Sequence, residues 1–279
     1  SVLFEAAVGG GIPIISAIKE NLCSNEFSSV LGILNGTCNF ILTKMTEEGS
    51  DFAPVLQEAQ DLGYAEADPT FDIEGVDTAH KIALLSALCF GTTVDFEQVY
   101  TEGISNIAAI DIQFAKQMGY KIKLLAIGKN LGDKIEVRVH PTMIPGSYQL
   151  AEVNGVFNAI RLNGDFVGPT LLYGSGAGMD ATASAVMGDV MAISRDQLSG
   201  AQSRVPIMGY RADQIKSLPI KAMSEIVSHY YLRFTTVDQP GVLAKIAGCL
   251  GKHDILSLIH ISEPTRLLSI SYAVFCLKK

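Results

Sequence analysis

The sequence predicts an α+β fold in which a mostly antiparallel or mixed sheet carries helices on one face. Segments 121–129 and 134–141 alternate apolar and polar residues around a Gly-Asp turn, which is typical of a β-hairpin. Segment 52–62 has the spacing of an amphipathic helix and stops at Gly63, a natural C-cap. Since the 279 residues are 48% hydrophobic, the chain can bury a sizeable core in one large or two modest domains.

The first fifth of the chain contains two predicted strand-to-helix units. Segment 2–8 has the pattern of a short buried strand, and three glycines follow it. Pro13 then suits the first turn of a helix over 14–21, where its missing N–H is not needed. A second strand over 28–34 runs into NGTCNFIL and a helix that ends near Glu48-Gly49.

The middle of the chain alternates helix and strand patterns. In chain order, the predicted elements are helix 77–90, a strand or short helix over 95–104, helix 108–119, strand 153–162, strand 166–168 after an Asn163-Gly164-Asp165 turn, and a helix over about 180–195.

Charge and cysteine content exclude several classes of protein. The net charge of −8 argues against a nucleic-acid or anionic-membrane surface. No apolar run approaches the roughly 20 residues that cross a bilayer. The opening residues lack a starting Met and a basic segment, so we expect a chain entered within a domain rather than a signal peptide. The five cysteines show no CxxC spacing, which favours a reducing cytoplasm over a disulfide scaffold or a zinc site.

The stretch from Gly63 to Lys81, GYAEADPTFDIEGVDTAHK, is the best candidate for chemistry. Four acids precede a helix on which Asp77 and Lys81 are four residues apart, so their side chains share one helical face. The helix continues into the apolar run IALLSALCF. A lysine beside a carboxylate at the edge of a core is a candidate proton donor or acceptor. An ordinary surface ion pair is the alternative.

Three shorter features each allow a functional and a structural interpretation. Gly9–Gly11 could hold an ion or the edge of a cofactor, or only form a tight turn. Asn35-Gly36-Thr37 could bind a carboxylate or phosphate, or only cap a helix. Cys38, on the first helical turn, could be a nucleophile, but no nearby His would activate it and a small buried residue is the alternative.

Two further features are open in the same way. His140 lies at a strand end and is either catalytic or, by preference, structural. Gly174, Gly176 and Gly178 precede a helix N-terminus, where a phosphate or a plain loop-to-helix turn would fit.

The last third of the chain has a different character. A polar, proline-containing segment, 198–226, is predicted to be a linker. A strand over 230–237, an Asp-Gln-Pro-Gly turn and a helix over 242–252 follow. Residues 256–279 resemble the translation of a sequencing adapter and are expected to be an artefact. Without them the chain loses three basic residues and one acidic residue, and its net charge becomes −10.

Four motifs carry a resemblance to homoserine dehydrogenases from Ser1 to about Ile255. In order they are FEAAVGGGIPII, LGILNGTCNFILTKMTEEG, GYAEADPTFDIEGVDTAHKIALL and GAGMDATASAVMGD. The resemblance implies a substrate-binding and dimerisation domain over 1–197. The segment 227–255 resembles the start of an ACT domain, a ferredoxin-like module that senses amino acids.

The resemblance also implies an activity, the NAD(P)H-dependent reduction of L-aspartate 4-semialdehyde to L-homoserine. At matching positions, Lys81 would donate a proton to the aldehyde oxygen, Asp77 would orient Lys81, and Glu66 would bind the substrate amino group. The other implied positions are substrate contacts at Tyr64, Asp72, Gly36 and Thr37, a cofactor contact at Gly178, and backbone carbonyls for a sodium ion at Glu5, Val8, Gly10 and Ile12.

The family's nucleotide-binding half, with its glycine fingerprint and a second active-site lysine, is expected upstream of Ser1. We therefore expect these 279 residues alone to show little or no turnover. A homodimer and a threonine effector at the ACT segment are further implications of the resemblance. Two other functions stay open: a non-enzymatic amino-acid-sensing module, and an acylating semialdehyde dehydrogenase that uses Cys38.

Overall fold

The chain forms two compact units, Ser1–Met223 and Ser224–Lys279. The computed structural model describes residues 2–201, 204–237, 239–253, 256–262 and 269–277. The first unit contains every predicted site residue.

A six-stranded mixed sheet organises the first unit, and it confirms the predicted fold class. Its strands lie in the order β2-β4-β3-β1-β5-β6, with only the β2–β4 pair parallel. The strands are β1 (Phe27–Ile33), β2 (Tyr100–Thr101), β3 (Tyr120–Asn130), β4 (Ile135–Pro145), β5 (Phe157–Gly164) and β6 (Gly168–Ser175). The predicted hairpin is confirmed as β3 and β4, which pair from Tyr120–Pro145 to Asn130–Ile135.

The helices of this unit are α1 (Ile14–Ser16), which continues as a π-helical turn over Ala17–Asn21, α2 (Gly36–Glu48), α3 (Phe52–Asp61), α4 (Thr70–Ile73), α5 (Val76–Phe90), α6 (Ala109–Gln117) and α7 (Met179–Leu198). The predicted helices are confirmed in place, and α4 is an additional short helix that the sequence patterns did not predict. The segment 95–104, predicted as a strand or a short helix, contains both: a 3₁₀ turn over Phe96–Gln98 and then β2.

The core lies between the sheet and the helices on one face. Alternate residues of β3 and β4 point toward α5, and Ile82, Leu85 and Val137 are fully or almost fully buried there. Burying a side chain of this size contributes about 1.5–3 kcal/mol. A smaller apolar cluster, which includes Ile33 and Leu125, lies on the other face under a 3₁₀ turn, Gln149–Glu152. Helices on one face were predicted, and this is confirmed.

Two local predictions are wrong. The predicted strand 2–8 is a 3₁₀ turn, Glu5–Ala7, because the Glu5 carboxylate accepts hydrogen bonds from the amides of Ile15 and Ser16 and so bends the chain onto the start of α1. The turn predicted at 163–165 lies about two residues later, since Asn163 and Gly164 still pair within the sheet with Pro169 and Gly168.

Part of the predicted linker pairs with the first unit. Lys216 forms a parallel bridge with Thr92, and Ile220 forms one with Ile135 at the start of β4. The Thr92 hydroxyl also accepts from the amide of Leu218, and Lys221 reaches the Glu136 carboxylate at 3.5 Å. We name residues 216–221 the strap, since they join the end of α5 to the edge of the sheet.

The second unit is a three-stranded antiparallel sheet with one helix. Its strands lie in the order β7-β9-β8, from β7 (His229–Val237), β8 (Leu256–Ser262) and β9 (Ser269–Leu277), and its helix is α8 (Val242–Lys252). The predicted strand and helix of this region are confirmed. The adapter-like residues contribute β8 and β9, and their origin stays a prediction.

Within the described residues, no helix combines the length and apolar character that a membrane span requires.

Candidate active site

The N-terminus of α2 is the structural centre of the candidate site. Asn35 is its N-cap, and the Asn35 side-chain oxygen accepts a hydrogen bond from the amide of Cys38 at 2.8 Å. A capping side chain of this kind satisfies one of the free amides that begin every helix. The cap fixes the side chain of Asn35, so the direction of its amide nitrogen is also fixed.

Asp77 and Lys81 form the predicted pair on the first turns of α5. The Lys81 ammonium lies 2.7 Å from Asp77 Oδ2 and donates a second hydrogen bond to the carbonyl of Leu34 at 3.0 Å. Both side chains are about one-fifth exposed. An ammonium has three N–H donors, so these two contacts leave the third for a ligand.

Asn35 joins this pair to a second carboxylate. Its amide nitrogen donates to Asp72 Oδ1 at 2.7 Å and to Asp77 Oδ2 at 3.0 Å. The two N–H groups of the amide are thereby used, and Asn35 and Lys81 both donate to the same oxygen of Asp77, Oδ2. Sequence reasoning recognised Asn35 as part of a polar turn but missed this bridging role.

The loop before α4 is tied to the same helix end. The Thr37 hydroxyl donates to the carbonyl of Tyr64 at 2.6 Å, and the ring of Tyr64 lies 5.0 Å from that of Phe40. Two residues further, the Glu66 carbonyl accepts from Gln60. Glu66 is exposed. In the described part of the chain, no hydrogen bond or ion pair joins its carboxylate to the cluster formed by Asn35, Asp72, Asp77 and Lys81.

Cys38 is fully buried, and its thiol donates to the carbonyl of Asp72. Burial raises the pKa of this thiol well above its usual value, and the nearby carboxylates Asp72 and Asp77 raise it further. A nucleophilic cysteine needs a thiolate, which this site disfavours. The prediction that Cys38 is a small buried residue is confirmed, and the raised pKa of its thiol argues against the nucleophile interpretation.

The strand β5 connects the α2 N-terminus to the second glycine turn. The Val156 carbonyl lies so close to Gly36 that a Cβ there would sit 2.8 Å from its oxygen. Phe157, next in the chain, pairs with Ser175 across the β5–β6 register. The turn 174–178 therefore begins beside the helix end that carries Gly36.

The two glycine turns, which the sequence presents separately, meet in the fold. A Cβ on Gly10 would lie 2.5 Å from the Gly176 carbonyl oxygen, and the amide of Gly11 donates to the Ser175 carbonyl. Gly9 and Gly10 both have left-handed backbones, with φ of 74° and 54°. Only glycine combines this conformation with so close an approach.

The remaining predicted positions line these turns. Val8 and Ile12 are buried, and the Ile12 carbonyl accepts from the amide of Ile14. Glu5 caps α1 with its carboxylate and donates its amide to Asp189 of α7. Gly178 is the N-cap of α7, and its φ of 107° explains why glycine stands there.

His140 is part of a polar row on β4. Arg138 donates to its Nε2 at 3.2 Å, and Arg138 also pairs with the buried Glu136. Desolvation lowers the pKa of His140, so the ring is largely neutral at pH 7. These contacts favour the structural interpretation of His140.

Taken together, the fold and the cluster define a class: an α+β domain that brings a lysine, two carboxylates and a helix N-terminus together. The family model for homoserine dehydrogenase matches residues 13–191. The chain belongs to the homoserine dehydrogenase family.

Known proteins agree with this assignment. The homoserine dehydrogenase of Neisseria gonorrhoeae is 53% identical over 254 residues, which are 91% of this chain and 58% of that protein. A homoserine dehydrogenase structure from Thiobacillus denitrificans matches with a TM-score of 0.91 and 46% identity over 99% of this chain and 63% of that one.

A hyperthermophilic archaeal homoserine dehydrogenase in complex with NADPH matches with a TM-score of 0.60 and 29% identity, over 70% of this chain and 56% of that one. The present chain spans about three-fifths of the length of these relatives.

Proposed function

We propose that the whole protein reduces L-aspartate 4-semialdehyde to L-homoserine and that this chain supplies its substrate-binding half. The observation that carries the proposal is the Lys81 ammonium, held 2.7 Å from Asp77 with one N–H free for a ligand. Reduction of an aldehyde places negative charge on its oxygen, and a positioned ammonium stabilises that charge and can neutralise it.

The proton is the contribution of this chain to the reaction. As the aldehyde carbon gains a hydride, its oxygen becomes an alkoxide, and the Lys81 N–H transfers its proton to that oxygen. The O–H bond of homoserine forms and the N–H bond of Lys81 breaks. Asp77 holds the ammonium in place throughout, and Asn35 holds Asp77.

The substrate also carries an ammonium and a carboxylate. Glu66, exposed in the loop before α4, is proposed to pair with the ammonium. Tyr64 and Asp72, which contact Thr37 and Asn35 at the start of α2, are proposed as further substrate contacts. Gly36 and Thr37 begin α2, where the free amides and the helix dipole favour a carboxylate.

Bound NADPH or NADH supplies the hydride. The archaeal relative in complex with NADPH supports this choice. In this chain Gly178 begins the 20-residue helix α7, and a glycine there leaves the helix N-terminus accessible to a nucleotide.

We further propose a sodium ion held by the backbone carbonyls of Glu5, Val8, Gly10 and Ile12. Consecutive left-handed glycines turn successive carbonyls of this loop, and oxygen ligands suit hard cations. The Ile12 carbonyl has a second lone pair beside the one used by Ile14. Sodium chloride should raise the melting temperature above that in choline chloride, and equal melting temperatures would argue against the site.

Homodimerisation, a cytoplasmic location and a threonine effector complete the proposal. The described cysteines 23, 38, 89 and 249 are free thiols, as a reducing compartment favours. Light scattering tests the dimer, and threonine inhibition of the full-length protein tests the effector site at the second unit.

The assay for the activity uses the full-length gene product. We expect NADPH or NADH to be oxidised when L-aspartate 4-semialdehyde is added, with L-homoserine identified as the product by mass spectrometry. Absence of homoserine would refute the function. Formation of an acyl product instead would support the rival acylating chemistry.

A further inference from the structure

Lys123 is a buried lysine that the proposed chemistry leaves unused. It lies on β3 with 2% of its surface exposed, and its Nζ donates to Asn39 Oδ1 at 3.0 Å, the Val153 carbonyl at 2.6 Å and Asn154 Oδ1 at 3.2 Å. Three acceptors match the three N–H groups of an ammonium. A buried cation is costly unless its donors are satisfied, so this arrangement holds its partners in one geometry.

A continuous chain of hydrogen bonds runs from Lys123 to the candidate catalytic pair. Lys123 donates to the side-chain oxygen of Asn39. The backbone N–H of Asn39 donates to the backbone carbonyl of Asn35, one helical turn back, at 3.2 Å. Asn35 donates to Asp77 Oδ2, which accepts from Lys81. Each link is a direct contact.

Lys123 also fixes the loop 153–157 against α2. On the helix, Asn39 donates to the Phe157 carbonyl at 3.0 Å, and the Thr43 hydroxyl accepts from the amide of Gly155 at 3.1 Å. The Val156 carbonyl of this loop is the group that packs on Gly36. The loop therefore packs against the N-terminal end of α2, where substrate is proposed to bind.

We infer that Lys123 is a positioning residue: it clamps loop 153–157 and the first turns of α2, and through Asn39 and Asn35 it sets the position of Asp77 and Lys81. Lys123 itself touches neither substrate nor cofactor. The kinetic part of this inference rests on the proposed function, whereas the structural part does not.

The structural part is tested by amide hydrogen exchange on the 279-residue chain. Lys123→Met keeps the length of the side chain and removes its donors. Lys121→Met is the matched control, because Lys121 lies two residues away on the same strand and its ammonium pairs with the exposed Glu152 at 2.8 Å. We expect faster exchange of the Cys38 and Gly155 amides in Lys123→Met and unchanged exchange in Lys121→Met. Unchanged exchange in both would overturn the inference.

The kinetic part is tested in the full-length gene product. Displacement of a catalytic group by a distant substitution can reduce a rate by up to about a hundredfold, so we expect kcat to fall by about tenfold or more in Lys123→Met, with a smaller change in KM. Lys123→Arg keeps the charge and can use the adjacent cavity of about 50 Å³, so it should recover part of the rate. Equal kcat values for wild type and Lys123→Met would overturn the positioning role.

Two controls keep the outcomes distinct. If Lys123→Met fails to fold, Asn154→Ala removes one of the three acceptors and should shift exchange in the same direction by less. No shift in Asn154→Ala would then contradict the inference. If the wild-type gene product shows no turnover, the proposed function fails. The exchange result still tests whether Lys123 holds loop 153–157 against α2.

Discussion

Asn35 shows how much one side chain can determine in this site. Its oxygen caps α2 and its nitrogen bonds two carboxylates from two other elements, Asp72 and Asp77. An asparagine can do this because it carries an acceptor and two donors in one plane. An aspartate would cap the helix equally well but would repel both carboxylates.

Cys38 lies one turn from these groups and allows a sharp test against the rival chemistry. We expect Cys38→Ser in the full-length gene product to retain most of its turnover, because the thiol is buried and its raised pKa keeps it protonated. Steady-state NADPH oxidation measures this. Loss of turnover in a variant that still melts cooperatively would support a nucleophile instead.

The pH dependence of stability tests Lys123. Burial lowers its pKa from 10.5 to about 8, so between these values the unfolded chain binds more protons than the folded chain. The free energy of unfolding should therefore rise with pH in this window. Because other groups titrate there too, the quantity to measure is the difference between wild type and Lys123→Met in urea unfolding. The free energy of unfolding of wild type should increase relative to that of Lys123→Met from pH 7.5 to pH 10.5. A difference that stays constant over this range would contradict the burial of a charged lysine.

At the scale of elements, the N-terminal ends of α2 and α5 meet beside α4, and the contacts between these helices place the site. The Ile73 carbonyl at the end of α4 accepts from the amide of Ile104. Gly103 lies so close to this turn that a Cβ would sit 2.2 Å from the Ile73 oxygen and 2.4 Å from Glu74 Cα. The position of α4, and with it Asp72, therefore depends on a glycine that is distant in sequence.

Gly103→Ala should displace α4 and lower stability by about 1–3 kcal/mol, the usual cost of forcing atoms into a packed site. Gly188→Ala is the matched control, since its Cβ would meet open space within α7. Urea unfolding of both variants measures the difference. A Gly103→Ala variant as stable as wild type would contradict the packing described for this turn.

Regular elements and the Asp77–Lys81 ion pair could be predicted from the sequence because they depend on local spacing. The period of α5 placed Asp77 and Lys81 on one face, and the hairpin pattern placed β3 and β4. The 3₁₀ turn at Glu5 could not be predicted, because it depends on hydrogen bonds to residues ten positions later. The Asn35 bridge and the Lys123 clamp were missed for the same reason, since their partners are up to 84 residues away.

At the scale of the whole molecule, the strap extends the first unit beyond α7. It bonds the end of α5 at Thr92 and the start of β4 at Ile135, and its Lys221 gives the buried Glu136 an additional cation. Nearby cations and the Arg138 hydrogen bond lower the pKa of Glu136 despite its burial. The strap therefore supports both the helix and the sheet that hold the site.

Two truncated chains test the role of the strap. A polypeptide of residues 1–223 keeps it, and one of residues 1–197 does not. We expect 1–197 to melt several degrees lower, since each 1 kcal/mol shifts the melting temperature by about 2–4 °C at this size. Differential scanning calorimetry measures the shift, and equal melting temperatures would show that the strap contributes nothing.

The central claim is that Lys81, oriented by Asp77, gives the proton to the substrate oxygen. Lys81→Ala in the full-length gene product tests it most directly, with Lys44→Ala as control, because Lys44 forms an ion pair of the same spacing with Glu48 on the surface of α2. We predict that Lys81→Ala loses at least about a hundredfold in kcat, as removal of a general acid does, while Lys44→Ala keeps its rate. A Lys81→Ala variant that reduces aspartate 4-semialdehyde at the wild-type rate would contradict the account.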